Sequence, residues 1–168
     1  MKTLILCRHA KSDWPEGVPD AMRPLKDRGI KDARRQGQLL FERGVAVDLI
    51  FSSHANRALS TAKIIAEEIK YNGRIHEKPS IYHEGARGLI TLAQELPDSI
   101  ESAIFFGHNP TMEQVVRFLL QAEQPIAMPT CAMACFELST SSWENLSPHT
   151  AQLRWLLIPR LKRKEDVS

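Results

Sequence analysis

Cysteine is scarce. Only Cys7, Cys131 and Cys135 occur, an odd number with no C-x-x-C pair, which argues against a disulfide scaffold, a zinc ribbon and a thioredoxin-like centre. A reducing cytoplasm is the expected setting. Long apolar runs are missing too. Nothing approaches the roughly 20 residues that cross a bilayer, and Leu4-Ile5-Leu6-Cys7 is broken at once by Arg8-His9, so neither a signal peptide nor a membrane anchor is expected. Charge of one sign is not in excess: 22 basic residues stand against 20 acidic ones, a net charge of +2. No global field for nucleic acid follows, and any affinity for anions has to come from locally placed arginines. His54, His76, His83 and His149 lack metal-ligand spacing, so no zinc cluster and no metal is expected. Internal repeats and low-complexity stretches are absent as well.

What remains is ordinary globular composition. With 168 residues, 43% of them hydrophobic and 25% charged, the chain suits a single domain over 1–160, followed by a solvated charged tail over 161–168. Leu4 to Cys7 is an apolar run of strand length, typical of a strand covered on both faces. It delivers Arg8 and His9 at its carboxyl edge. The stretch from Asp13 to Met22 contains Pro15, Gly17 and Pro19 and reads as a loop beside that edge.

The spacing of Ile30, Ala33, Gly37, Leu40 and Phe41 predicts a helix over 26–43, with Gly44 as its stop. A second buried strand is expected over 45–51, and Ser52-Ser53 then offer hydroxyls to cap a helix reaching about Tyr71. That helix carries Arg57 in its first turn, where the dipole and free N–H groups already favour an anion. A short strand over 74–77, a helix over 85–96, a strand over 102–106 and a helix over 111–121 follow. Two final strands, over 132–138 and 152–158, have no helix between them and suggest an antiparallel edge. The fold class expected is α/β, a three-layer α/β/α sandwich with a mostly parallel central sheet and an antiparallel edge.

In such sheets ligands gather outside the carboxyl ends of the strands. Three of these ends carry polar residues: Arg8-His9, Ser52-Ser53 leading to Arg57, and Gly107-His108. Two histidines and several arginines in one crevice call for a strongly anionic substrate and a neutral imidazole. Phosphate meets that demand. Guanidinium forks grip its oxygens in pairs, and an imidazole with a pKa near 6.5 is substantially neutral at cellular pH and able to attack phosphorus. Taken singly, each residue has a plainer reading. His9 could be a structural residue at a strand end, Arg57 a solvated helix arginine, and His108 a cap for the helix that begins beyond Pro110. Arg23 could be a surface residue before Pro24, and Trp14 could line the pocket or pack under the loop.

Leu6-Cys7-Arg8-His9-Ala10-Lys11-Ser12-Asp13-Trp14, Arg23-Pro24-Leu25, Ser52-Ser53-His54-Ala55-Asn56-Arg57-Ala58 and Gly107-His108-Asn109-Pro110 resemble, in order, the motifs of the histidine phosphatase superfamily. Within it, the chain is most similar to the small SixA-like phosphohistidine phosphatases. The resemblance implies a phosphoglycerate-mutase-like fold and a metal-independent, cofactor-free phosphatase that passes through a phosphohistidine on its own His9. Arg8 and Arg57 would clamp the phosphoryl oxygens, His108 would donate to the same group, Arg23 would complete the pocket and Asn109 would line it. The implied partner is a phosphate-bearing substrate, with a histidine-phosphorylated protein first among them.

The chain departs from the family twice. Ala10 stands where the family usually has glycine, which disfavours a left-handed backbone there. The carboxylic acid that larger members use to protonate the leaving group has only one weak candidate, Glu84, beside His83. A missing acid matters less for an imidazole leaving group than for an alkoxide, which favours phosphohistidine. The alternatives are a phosphomonoesterase acting on a small metabolite and a non-catalytic phosphate-binding module.

Overall fold

The computed structural model describes residues 1–159, so the predicted tail lies outside the described residues. Six strands, β1 (Lys2–Arg8), β2 (Leu49–Ser52), β3 (Ile75–Glu77), β4 (Ser102–Gly107), β5 (Met133–Leu138) and β6 (Ala151–Leu157), form one sheet. Its order is β3-β2-β4-β1-β5-β6. β1, β2, β3 and β4 run parallel, and β5 and β6 add the antiparallel edge. Among the described residues five helices, α1 (Asp27–Glu42), α2 (Asn56–Glu68), α3 (Ser80–His83), α4 (Gly85–Gln94) and α5 (Thr111–Leu120), cover the two faces.

The period of two along a strand decides which face each apolar residue serves. Leu4 and Leu6 of β1, Ala103 and Phe105 of β4, and Ala134 and Phe136 of β5 enter one core with Ile81, Leu89, Ala93, Val115 and Trp143. Ile5 and Cys7, Ile104 and Phe106, and Met133 and Cys135 enter the opposite core with Ala33, Leu40, Ala62 and Ile65. Continuous apolar runs therefore feed two cores at once. Each large side chain fully withdrawn from water contributes about 1.5–3 kcal/mol, which anchors β1 in the middle of the molecule.

Several expected boundaries move. β2 begins at Leu49 rather than Val45, because Asp48 leaves the ladder and uses its Oδ2 to accept the N–H groups of Glu101 and Ser102 at 2.8 and 3.1 Å. Phe41 leaves the predicted stripe: it is 50% exposed and Lys70 lies over its ring, since one residue beyond Leu40 is a rotation of about 100°. Ser52 and Ser53 do not cap α2 as expected: α2 starts at Asn56, its N-cap position is Ala55, and no side chain caps it. The sequence reading also missed α3, a single turn ahead of α4, and two 3₁₀ turns, Asp20–Met22 and Trp143–Asn145.

Glycine matters where backbones meet. A Cβ on Gly29 in α1 would lie 2.2 Å from the carbonyl oxygen of Lys11, and that oxygen accepts the Lys26 N–H at 2.9 Å. The loop after β1 is thus seated directly on the start of α1.

Candidate active site

Arg8 ends β1 opposite Gly107 of β4, and the next N–H, that of His9, still reaches the Gly107 carbonyl at 2.9 Å. The two central parallel strands therefore release His9 and His108 side by side. Their ring centroids lie 5.4 Å apart, with planes tilted by 52°. Ala10 is fully buried and is not among the residues with a left-handed backbone, so the Cβ that replaces the family's glycine is accommodated. Its N–H donates to Thr61 Oγ1 at 2.9 Å, and the Thr61 hydroxyl donates to the Arg57 carbonyl at 2.7 Å. One hydroxyl on α2 thereby ties the residue after His9 to the turn that carries Arg57.

Hydrogen bonds set the tautomers of both imidazoles. His9 Nδ1 lies 2.7 Å from the Ala10 carbonyl, which only accepts, so Nδ1 carries the proton and Nε2 keeps its lone pair. Ser53 Oγ accepts the Ala55 N–H at 3.0 Å and lies 2.7 Å from His108 Nε2. With that ring nitrogen as its one acceptor among the described residues, the Ser53 hydroxyl donates, leaving the proton of neutral His108 on Nδ1. His108 Nδ1 is buried and has no partner among the described residues. The site thus presents one imidazole with a free lone pair and the other with a free N–H.

Burial keeps both rings uncharged. It lowers the pKa of His9 to about 4, with the positive charges of Arg57, Arg8 and Arg23 acting in the same direction and the Ala10 bond opposing them. It lowers that of His108 to about 3, helped by Arg57 and His9.

The predicted arginines surround the pair. Arg8 donates from Nη1 to the Met128 carbonyl at 3.1 Å, while its Nε is buried without a partner. Arg57 is only 6% exposed and donates from Nη1 to the Asp20 carbonyl at 2.8 Å and from Nη2 to Asp20 Oδ2 at 3.0 Å, with its Nε again unpartnered. Arg23 donates to Asp20 Oδ1 at 3.2 Å, Ser12 Oγ at 2.8 Å and the Asp13 carbonyl at 3.2 Å. Its guanidinium also lies over the ring of Trp14, 4.0 Å from the centroid. Two unpartnered guanidinium N–H groups and the free His108 N–H point to an anion with several acceptor oxygens as the missing partner.

Asn109 turns aside, donating to the Met128 carbonyl at 2.9 Å and to Glu113 Oε1 at 3.0 Å. Glu84 is exposed at the junction of α3 and α4, and its carboxylate makes no hydrogen bond among the described residues. Tyr82 of α3 enters the site instead: its ring stands edge-on to His108 at 5.3 Å, and its hydroxyl donates to Asp20 Oδ2 at 2.5 Å. Sequence reasoning missed Asp20, Tyr82, Ser53 in its bond to His108, and Thr61. Only Asp20 left a signal there, a carboxylate in the proline-rich loop three residues before Arg23. Among the described residues no group of three His, Cys, Asp or Glu side chains is placed to hold a metal ion, and no helix is long and apolar enough to cross a membrane.

An uncharacterised chloroplast protein of Arabidopsis thaliana is 30% identical over 153 residues, covering 85% of this chain and 69% of that protein. Among solved structures, a proposed phosphohistidine phosphatase SixA from Agrobacterium tumefaciens superposes with a TM-score of 0.78 at 26% identity, covering 94% of this chain and 98% of that one. The protein histidine phosphatase SixA complexed with tungstate superposes with a TM-score of 0.74 at 19% identity, covering 94% and 97%. The family profile described as the histidine phosphatase superfamily (branch 1) matches residues 4–85, which hold His9, Arg8, Arg23 and Arg57. Sequence motifs, sheet topology and the histidine pair agree: the chain belongs to the histidine phosphatase superfamily.

Proposed function

We propose that this phosphatase hydrolyses phosphohistidine, carried by a protein, through a phosphoryl group held transiently on its own His9. One observation carries the reading: the Ala10 carbonyl holds the proton of His9 on Nδ1, 2.7 Å away, and so leaves Nε2 free to attack beside His108. Nε2 displaces the leaving group from phosphorus, and Arg8, Arg57 and the His108 N–H neutralise the charge on the transferring oxygens. Water then opens the P–N bond on His9, returning the electron pair to Nε2 and releasing phosphate. Splitting one displacement into two lets each begin from a pre-arranged clamp.

The substrate assignment rests on chemistry. The leaving imidazole needs less help from an acid than an alkoxide does, and Glu84, the carboxylic acid suspected from sequence, does not bond into the site. Buried free thiols at Cys7, Cys131 and Cys135 support a reducing compartment such as the cytoplasm. The test is a turnover panel in the presence of a chelator, comparing a phosphohistidine protein, phosphoserine and small phosphate esters. Phosphohistidine is expected to be cleaved most efficiently and without metal. Faster hydrolysis of a small ester, or loss of all activity on chelation, would overturn the reading.

A further inference from the structure

Asp20 is an anion inside a site built for anions. It lies in the 3₁₀ turn Asp20–Met22 of the proline-rich loop, and three site residues bond to its carboxylate: Arg57 at 3.0 Å and Tyr82 at 2.5 Å on Oδ2, and Arg23 at 3.2 Å on Oδ1. The Tyr82 bond and the two arginines hold its pKa at about 2 against partial burial, so the charge is permanent in the working range. Placed on the clamp, this charge opposes binding of a phosphate ester, whose leaving group is neutral or anionic. For a cationic leaving group the sign reverses.

The carboxylate also has room for one more donor. Two oxygens offer about four acceptor positions; three are used, and the side chain is 37% exposed. We propose that Asp20 is a specificity-determining residue that accepts the far ring N–H of the substrate's phosphohistidine, the inference resting on the reading above. That ring nitrogen takes up a proton in the ordinary histidine range, and the carboxylate favours the protonated form. In the transfer step the P–N bond of the substrate breaks and its electron pair goes to the substrate ring. A P–N bond forms to His9 Nε2, and the substrate imidazole leaves neutral, keeping its far proton and still donating that N–H to the Asp20 carboxylate. The arrangement mirrors the enzyme's own side, where the far N–H of His9 donates to the Ala10 carbonyl.

The test compares wild type, Asp20→Asn and Asp20→Ser on a phosphohistidine peptide and on an aryl phosphate, whose leaving group needs no proton. The ratio of kcat/KM for phosphohistidine to that for the aryl ester is expected to fall about tenfold or more in both variants. A purely structural role for Asp20, acting through Arg57, lowers both substrates together and leaves the ratio unmoved; that result overturns the inference. Tyr82→Phe keeps the carboxylate and is expected to keep the preference, so an equal loss of preference there also overturns it. Failure of wild type on phosphohistidine sinks the proposed function itself, whereas activity in wild type with an unchanged ratio in the variants sinks only the role of Asp20.

Discussion

His9 and His108 meet at a centroid separation of 5.4 Å although 99 positions separate them in the chain. Their contact follows from one sheet pairing, Arg8 opposite Gly107, which releases both imidazoles at the same edge. His9 keeps an acceptor nitrogen and His108 a donor, an asymmetry imposed by the Ala10 carbonyl and the Ser53 hydroxyl.

Replacing the proposed nucleophile separates chemistry from binding. His9→Ala is expected to lower kcat by about a thousandfold or more, while Arg8, Arg57 and His108 continue to hold an oxyanion. Turnover assays and calorimetric titration with tungstate check the two halves. A variant retaining wild-type turnover would remove His9 from the reaction.

Acid should silence the enzyme late. The His9 lone pair is lost only when pH falls through its depressed pKa of about 4, and His108 protonates lower still, at about 3. The acid limb of kcat/KM, corrected for the substrate's own phosphate ionisation, is therefore expected near pH 4 and not at the ordinary histidine value of about 6.5. An inflection at the ordinary value would show that the free enzyme does not keep His9 desolvated.

Ser53 acts through its neighbour. Ser53→Ala removes the hydroxyl that keeps the His108 proton on Nδ1, and kcat is expected to drop roughly a hundredfold, the usual effect of losing one donor to a transition-state oxyanion. Ser53→Thr should restore most of it. Equal losses in both variants would indicate a packing defect.

Gly29→Ala tests the seat of the loop that follows His9. Alanine gains up to about 1 kcal/mol in helix propensity over glycine. The new Cβ would, however, press on the Lys11 carbonyl at 2.2 Å, a backbone atom that cannot swing aside. A net loss of about 1–3 kcal/mol is expected in thermal or denaturant unfolding, together with reduced activity. A more stable variant would mean that the loop shifts freely.

The α/β alternation was legible in the sequence because strands buried on both faces need unbroken apolar runs, and helices repeat near 3.6. Leu4 to Cys7 and Ser102 to Phe106 show it plainly. His9, Arg8, Arg57 and His108 were legible because each sits at the end of such an element. Asp20 and Tyr82 were not: a single helical turn such as Ser80–His83 is too short to display a period, and the Tyr82 bond to Asp20 spans 62 positions without any local pattern to announce it. Locally the Ser53 hydroxyl reads as a helix cap, because serine beside a helix start fits that role, whereas its partner His108 arrives from another strand.

Strand β5 gives β1 its second neighbour, and the residues just before it bond directly to the site: the Ala132 carbonyl accepts the Arg8 N–H and the Cys131 N–H donates to the His9 carbonyl. A chain folded only as far as His108 would hold every proposed catalytic side chain and still lack one wall. The pocket gains that wall only when the late antiparallel strand pairs with β1, across 126 to 136 positions of chain, so long-range closure and not local helix formation completes the site.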